Sequence, residues 1–299
     1  DSGTRDQRVR DPSLAWSSMI IHHPFQYSLG WFQLTGFGLA VLFAFWIAQI
    51  ASAHILSERG KDPEVTSDVL FGAVVGGLLG AKIYYAILRG DWHELFQRAG
   101  FVFWGGLIGG IIASWIVIRY KGWKFTTISD AAAPGIAAAY AIGRSGCWAV
   151  GDDYGRPWNA HWAVQFPEGA PPSTAINMVQ EFHVKLPPNV QPMDVLAVYP
   201  TQLFEVTMGF IMFLILWRFR NHKHAEGWLF GLYCVMAGIE RFIVEFFRAK
   251  DDRFFGPFTT AQVIALLFAA GGLTWMYWRR NPTTALPLEP IPAGPTRQA

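Results

Sequence analysis

Six ionisable side chains sit within or at the edge of long apolar stretches of this 299-residue chain: Lys82, Arg144, Glu205, Glu240, Arg241 and Glu245. A charge held at mid-bilayer costs roughly 2.5–3.5 kcal/mol on insertion scales, so each needs a partner, a cavity or a chemical task. Three are cationic and three anionic, which fits internal pairing that merely orients helices. Arg144 and Arg241 support a second reading. A guanidinium presents a planar fork of donors matched to a phosphate and keeps its proton when buried. Two of them near glycine-rich backbones would cradle a phospholipid headgroup. Charge placement alone leaves these readings level. Spacing adds Arg248: Arg241, Glu245 and Arg248 fall at i, i+4 and i+7 and share one helix face. Glu240 lies about 100° round from Arg241 and is expected to serve a different contact. Lys82 reads as a snorkelling or structurally paired lysine.

Other chemistry-bearing residues point to packing or to lipid. His22 and His23 are adjacent, so on a helix they would point apart, and no third ligand lies near them. His222-Lys223-His224 stands among Arg218 and Arg220, whose charge repels a cation; it reads as a basic cluster facing anionic lipid. Cys147 and Cys234 read as small packing residues, and two cysteines make no disulfide framework. No metal or soluble cofactor is expected.

The elements that must position these residues follow from composition. Hydrophobic residues make up 52% of the chain and charged ones only 15%, against roughly a quarter in soluble domains. That excludes disorder, and a net charge of +2 with scattered basic residues gives no footprint for nucleic acid. A membrane-spanning helix needs about 20 apolar residues. Seven stretches come close: 31–56, 69–88, 100–118, 127–150, 201–217, 227–247 and 260–278. The expected fold is therefore an all-α integral membrane protein with about seven transmembrane helices. Arg144 and Gly146 suggest that the fourth helix stops short of Val150. Glycines repeating every four residues (Gly72/Gly76/Gly80, Gly105/Gly109, Gly106/Gly110, Gly135/Ala139/Gly143) mark faces where helices approach closely.

Basic residues set the orientation. Arg59, Lys61, Arg119, Lys121, Lys124, Arg218, Arg220, Lys223, Arg279 and Arg280 gather at one side; Arg89, Arg98, the 151–200 loop and the loop around 250–253 lie at the other. This places the N-terminus and the 151–200 loop outside the cytoplasm and the C-terminus inside it. That loop carries Pro157, Pro167, Pro171, Pro172, Pro187, Pro188 and Pro192, too many for regular helix, and its length suggests a functional head or lid. A single membrane domain over 19–280 is expected, with a polar exposed arm at 1–18 and a flexible proline-rich tail at 281–299.

Four motifs occur in one order: Phe103-Trp104-Gly105-Gly106-Leu107-Ile108-Gly109, Gly143-Arg144-Ser145-Gly146-Cys147, Tyr199-Pro200-Thr201-Gln202-Leu203-Phe204-Glu205, and Glu240-Arg241-Phe242-Ile243-Val244-Glu245-Phe246-Phe247-Arg248. Together they resemble the prolipoprotein diacylglyceryl transferase family from about Ile20 to Trp278. The resemblance implies a multi-pass protein of the bacterial inner membrane with a large periplasmic loop. It implies transfer of the diacylglyceryl group of phosphatidylglycerol to the lipobox cysteine of a prolipoprotein signal peptide, with release of glycerol phosphate. By the same resemblance Arg144 would bind the lipid headgroup, with Gly105, Gly106 and Gln202 beside it. Arg241 and Glu245 match an essential arginine and glutamate. Asp152 falls where many members have a glutamate, and Glu205, Glu240 and Arg248 would be charge partners.

Some positions depart from the family pattern: Trp104 for a histidine, Phe37 and Ala237 for tyrosines, Tyr199 for a histidine and Cys147 for an asparagine. They leave open a second reading, a catalytically silent relative that binds lipid as a subunit of a larger membrane complex. A transporter has only the buried charges in its favour, and no long repeat accompanies them. For catalysis, Glu245 or Asp152 is the expected base, because burial can raise a carboxylate towards a useful pKa. Arg144 and Arg241 would neutralise charge developing on the phosphate. Asp152 has an alternative task, holding Arg144 in place.

Overall fold

The computed structural model describes residues 20–30, 32–97, 100–249, 253–255 and 258–281. The predicted arm at 1–18, the tail beyond 281, Arg98 and Lys250 lie outside the described residues. Seven long helices coincide in place with the seven apolar stretches: α1 Gly36–Glu58, α2 Val65–Arg89, α3 Phe103–Tyr120, α4 Phe125–Val150, α6 Thr201–Phe219, α7 Trp228–Val244 and α8 Thr260–Trp278, with a short α5 Ala175–Gln180 between α4 and α6. Five of them (α1, α2, α3, α6 and α8) are long and apolar enough to cross a membrane. The other two carry Arg144 on α4 and Glu240 and Arg241 on α7. Helix α4 lies at the centre, packed on α1, α6 and α7. Its run of buried alanines (Ala131, Ala133, Ala137, Ala138, Ala141) lets neighbours approach without needing bulk of its own.

Several boundaries differ from the sequence expectation. Residues before Gly36 form a β-hairpin (β2 Gln26–Leu29, β3 Phe32–Thr35), because Thr35 caps α1 by accepting from Gly38 N at 3.1 Å. Helix α4 does not stop short of Val150: the Arg144 charge is neutralised by acidic neighbours, so the helix has no reason to break there. It ends at Gly151, whose left-handed φ of +69° lets its N–H bond to Cys147 O at 2.9 Å. Helix α7 ends at Val244, yet the following turn still carries Glu245 N onto Arg241 O at 3.2 Å.

The glycine faces also divide. A methyl group on Gly80 would fall 2.3 Å from the Gly105 carbonyl oxygen, so α2 and α3 touch backbone to backbone. At Gly135 it would fall 2.7 Å from the Ala48 carbonyl oxygen of α1. Gly143, expected to pack in the same way, faces open space.

Residues 151–200, with too many prolines for long helices, fold into a small cap. Its sheet joins β1 (Ile20–Ile21) parallel to β4 (Val164–Gln165), which pairs antiparallel with β5 (Ala197–Val198). Tyr154, Val164, Phe166, Met178, Leu196 and Val198 form its core. The cap is stitched to the end of α7 through Gly155 and Arg156: Arg156 N donates to Phe247 O and Arg156 Nε to Arg248 O, both at 2.9 Å.

At the opposite end, His222 does not face lipid. Its side chain is buried, with Nε2 2.9 Å from Asp130 Oδ2. Asp130 is wholly buried, accepts from Phe230 N at 3.0 Å and lies 3.6 Å from Arg59 Nη1. Arg220 pairs with Glu58, and Lys61 and Thr127 both donate to Glu226. These contacts fasten the α1–α2 and α6–α7 turns to α4. Replacing Asp130 with Asn strands Arg59 and His222 and should cost about 3 kcal/mol. The expected outcome is a clear fall in the melting temperature of the detergent-solubilised protein, with no change for Lys223→Ala at an exposed position of the same turn.

Candidate functional site

Glu205 projects from the second turn of α6 and is 1% exposed. Its Oε2 accepts from Arg144 Nη2 of α4. Its Oε1 lies 3.8 Å from Arg248 Nη1, 4.0 Å from Arg241 Nη1 and 3.3 Å from Tyr140 Oη. Three guanidiniums and a phenol therefore converge on one buried carboxylate. Arg144 and Arg241 are brought to a single site and not to opposite sides of the molecule.

A second layer of carboxylates surrounds the arginines. Arg241 Nη2 is 2.8 Å from Glu245 Oε2, and Arg248 Nε is 3.7 Å from the same oxygen. Glu245 Oε1 accepts from Thr259 Oγ1, the N-cap of α8, at 3.2 Å. Glu240 does serve a different contact, accepting from Tyr140 Oη at 2.9 Å. Among the three guanidinium side chains Arg241 is the most open, 35% exposed against 13% for Arg144 and 14% for Arg248.

The turn after α4 supplies two aspartates, and they differ. Asp153, not Asp152, holds Arg144: its Oδ2 accepts from Arg144 Nη1 at 2.8 Å and its Oδ1 from Arg248 Nη2 at 2.9 Å. Burial works to raise the Asp153 carboxyl, but Arg248 and Arg144 outweigh it and hold the group down at about 2. Asp152 shares neither arginine bond. Its Oδ1 is buried and accepts no hydrogen bond among the described residues. Burial first, and the neighbouring Asp153 charge second, push its pKa up. The motif Tyr199-Pro200-Thr201-Gln202 builds this turn from below. Thr201 Oγ1 donates to Asp153 O at 2.8 Å, and Gln202 Nε2 donates to Asp152 O at 2.6 Å. Asp153 itself takes a left-handed φ of 56°, which turns its side chain back towards the arginines.

Cys147 Sγ and the carboxylates of Asp152 and Asp153 lie within 4.8 Å of one another. The cation among them is Arg144, whose Nη1 is 3.4 Å from the sulfur. That guanidinium already supplies the positive charge a metal would bring.

Other predicted residues make different contacts. Gly105 and Gly106 form the α2–α3 crossing, facing Gly80 and Gly77. Trp104 and Phe37 are half exposed. Ala237 packs beside the α4–α6–α7 core. Tyr199 stacks on Trp158 with ring centroids 4.2 Å apart. Lys82 is structurally engaged, donating to the Glu94 and Gln97 carbonyls at 3.2 and 2.5 Å. Sequence reasoning missed Tyr140 and Asp153. Tyr140 stands four residues before Arg144, on the same helix face, which was a usable signal. Asp153 was hidden because its role depends on a backbone turn that spacing does not reveal.

The profile of the prolipoprotein diacylglyceryl transferase family matches residues 24–278. The phosphatidylglycerol--prolipoprotein diacylglyceryl transferase of Xanthomonas axonopodis pv. citri is 32% identical over 287 residues, covering 91% of this chain and 96% of its own. The protein of the same name from Nitratidesulfovibrio vulgaris is 30% identical over 268 residues, covering 85% and 92%. With that match extending over the apolar helices, the cap and the arginine site alike, the chain belongs to the prolipoprotein diacylglyceryl transferase family.

Proposed function

We propose that this membrane enzyme transfers the diacylglyceryl group of phosphatidylglycerol to the cysteine thiol of a prolipoprotein, with Arg144, Arg241 and Arg248 receiving the phosphate and Asp152 taking the thiol proton. The single observation that carries the reading is the convergence of three guanidiniums on Glu205 beside a buried, unpartnered carboxylate oxygen of Asp152.

The chemistry follows from these groups. The substrate sulfur attacks a glycerol carbon, a carbon–sulfur bond forms, the carbon–oxygen bond to phosphate breaks, and glycerol phosphate leaves with the bonding pair. A thiol is only slightly ionised near neutrality, so a base must take its proton. Both expected bases carry a buried oxygen without a hydrogen bond. Glu245 Oε2, however, is ion-paired with Arg241 at 2.8 Å, and its Oε1 accepts from Thr259. Asp152 shares neither arginine bond of its neighbour, and burial raises its pKa. The departing phosphate gains negative charge, and preorganised guanidiniums stabilise that charge without reorganising. Arg241, being the most open, meets the lipid first; Arg144 and Arg248 lie deeper. Gln202 and Thr201 keep the aspartate turn in register by binding its main chain.

The gathering of basic residues at the Asp130–His222 end supports a cytoplasmic location for that end and a periplasmic one for the cap. Lys185, exposed in the cap, should then react with a membrane-impermeant amine reagent in intact spheroplasts; protection there combined with labelling in inverted vesicles would reverse the topology.

Glycerol phosphate release by the purified protein, given phosphatidylglycerol and a lipobox peptide, tests the reaction. Arg241→Ala should slow it at least about 100-fold, and equal turnover of variant and wild type would remove the arginine from the mechanism. For the base, the rate should rise with pH through a group titrating above the ordinary carboxylate range, since Asp152 acts only when deprotonated. Asp152→Asn should abolish that limb and lower the rate roughly 100-fold or more; an unchanged limb assigns the proton to another group.

A further inference from the structure

The arginine site, taken as the lipid phosphate seat proposed above, is electrically closed as it stands. Arg144, Arg241 and Arg248 face Glu205, Glu245 and Asp153 in equal number. A further anion cannot enter such a set on favourable terms unless one carboxylate withdraws. The three differ in their freedom to do so. Glu205 and Glu245 are each 1% exposed and are also held by Tyr140 and Thr259. The Asp153 carboxylate is 42% exposed and, among the described residues, bonds only to the two arginines, one oxygen to each. That bridging posture is the one a phosphate would adopt between Arg144 and Arg248. Its main chain is fixed by Thr201, so the carboxylate can leave by rotation about its own side-chain bonds while the turn stays in place.

We propose that Asp153 is a displaceable occupant of the anion seat: its carboxylate bridges Arg144 and Arg248 in the lipid-free protein and is exchanged for the phosphate of the incoming lipid. The residue thereby sets the affinity for anionic lipid. It keeps the guanidiniums in register between turnovers and prevents the glycerol phosphate product from remaining bound. Asp153 is a positioning residue in this scheme and takes no part in bond making.

The test uses the full chain in mixed micelles, with phosphatidylglycerol as the probe and phosphatidylethanolamine as the zwitterionic control. Asp153→Asn, which removes the competing charge at constant size, should bind phosphatidylglycerol roughly five- to tenfold more tightly and lower its KM accordingly. Asp153→Glu should restore the wild-type value, and binding of the zwitterionic lipid should change less than that of the anionic one. Weaker or unchanged binding in Asp153→Asn overturns the proposal, because a purely structural carboxylate would loosen the arginines when neutralised. Carboxyl footprinting of the wild-type protein reads the same event without a variant: Asp153 should become severalfold more reactive when phosphatidylglycerol is added, and constant reactivity overturns the exchange. Arg144→Ala separates this proposal from the reading beneath it. Undiminished lipid binding in that variant means the seat itself is misplaced, whereas lost binding there with no gain in Asp153→Asn rejects displacement alone.

Discussion

One buried carboxylate organises the polar interior of this protein. Glu205 draws Arg144 from α4, Arg241 from α7 and Arg248 from the turn after it towards a single point. Without Glu205, three like charges would stand within a few ångströms of each other in a region of low dielectric, where their repulsion far exceeds its value in water. Without the arginines, Glu205 would be an uncompensated buried charge, an equally costly state. Neither half is tenable alone, so the helices that carry them must meet. The same condition explains how α4 can carry Arg144 and α7 can carry Glu240 and Arg241 inside the bundle. They are shielded by α1, α6 and α8 and can carry polar groups because lipid does not touch those faces.

The two ends of the bundle solve a similar problem differently. At the Asp130 end, His222, Arg59 and the Phe230 N–H surround an acid with no exposure; the result is a clamp that holds loops together. At the cap end the groups are partly open, and some acceptors have no donor among the described residues, Asp152 Oδ1 among them. Buried unpaired polar atoms cost free energy and occur at both ends, His222 Nδ1 in the clamp as well as Asp152 Oδ1. What separates the ends is that Arg241 and Asp153 stay partly open whereas Asp130 is sealed.

Much of this was legible in the sequence. Apolar run length located every long helix, because lipid constrains backbone hydrogen bonding more strictly than water does. The i, i+4, i+7 spacing of Arg241, Glu245 and Arg248 correctly anticipated their meeting, even though Arg248 lies past the helix end. The i,i+3 and i,i+4 rules reach only across one helix face. They could not show that Glu205, far away in the chain, would be the shared partner. They could not separate Asp152 from Asp153, since adjacent residues in a turn diverge according to φ and ψ rather than identity. His222 was misread for a related reason. Its basic neighbours suggested a solvated or lipid-facing patch, whereas its partner Asp130 sits 92 positions earlier in the chain, within an alanine-rich helix that carried no surface signal.

The departures from the family pattern bear on proton transfer, and here the geometry offers a physical resolution. Trp104, Phe37 and Ala237 replace side chains that could exchange a proton; Trp104 and Phe37 are half exposed, and Ala237 packs against the same core as Tyr140, one helical turn before Arg241. Proton removal from a thiol requires one acceptor of suitable basicity within reach, and the surrounding groups matter only as far as they set that basicity. Asp152 is set by burial and by its neighbour Asp153. The neighbour's own charge is fixed by Arg144 and Arg248. On the proposed reading, acid–base function and anion binding are therefore coupled through one short turn. When the phosphate takes the place of Asp153 on the arginines, the charge facing Asp152 changes at the moment a base is needed. A chain with that coupling does not require a separate histidine to time the proton transfer, because arrival of the lipid supplies the timing.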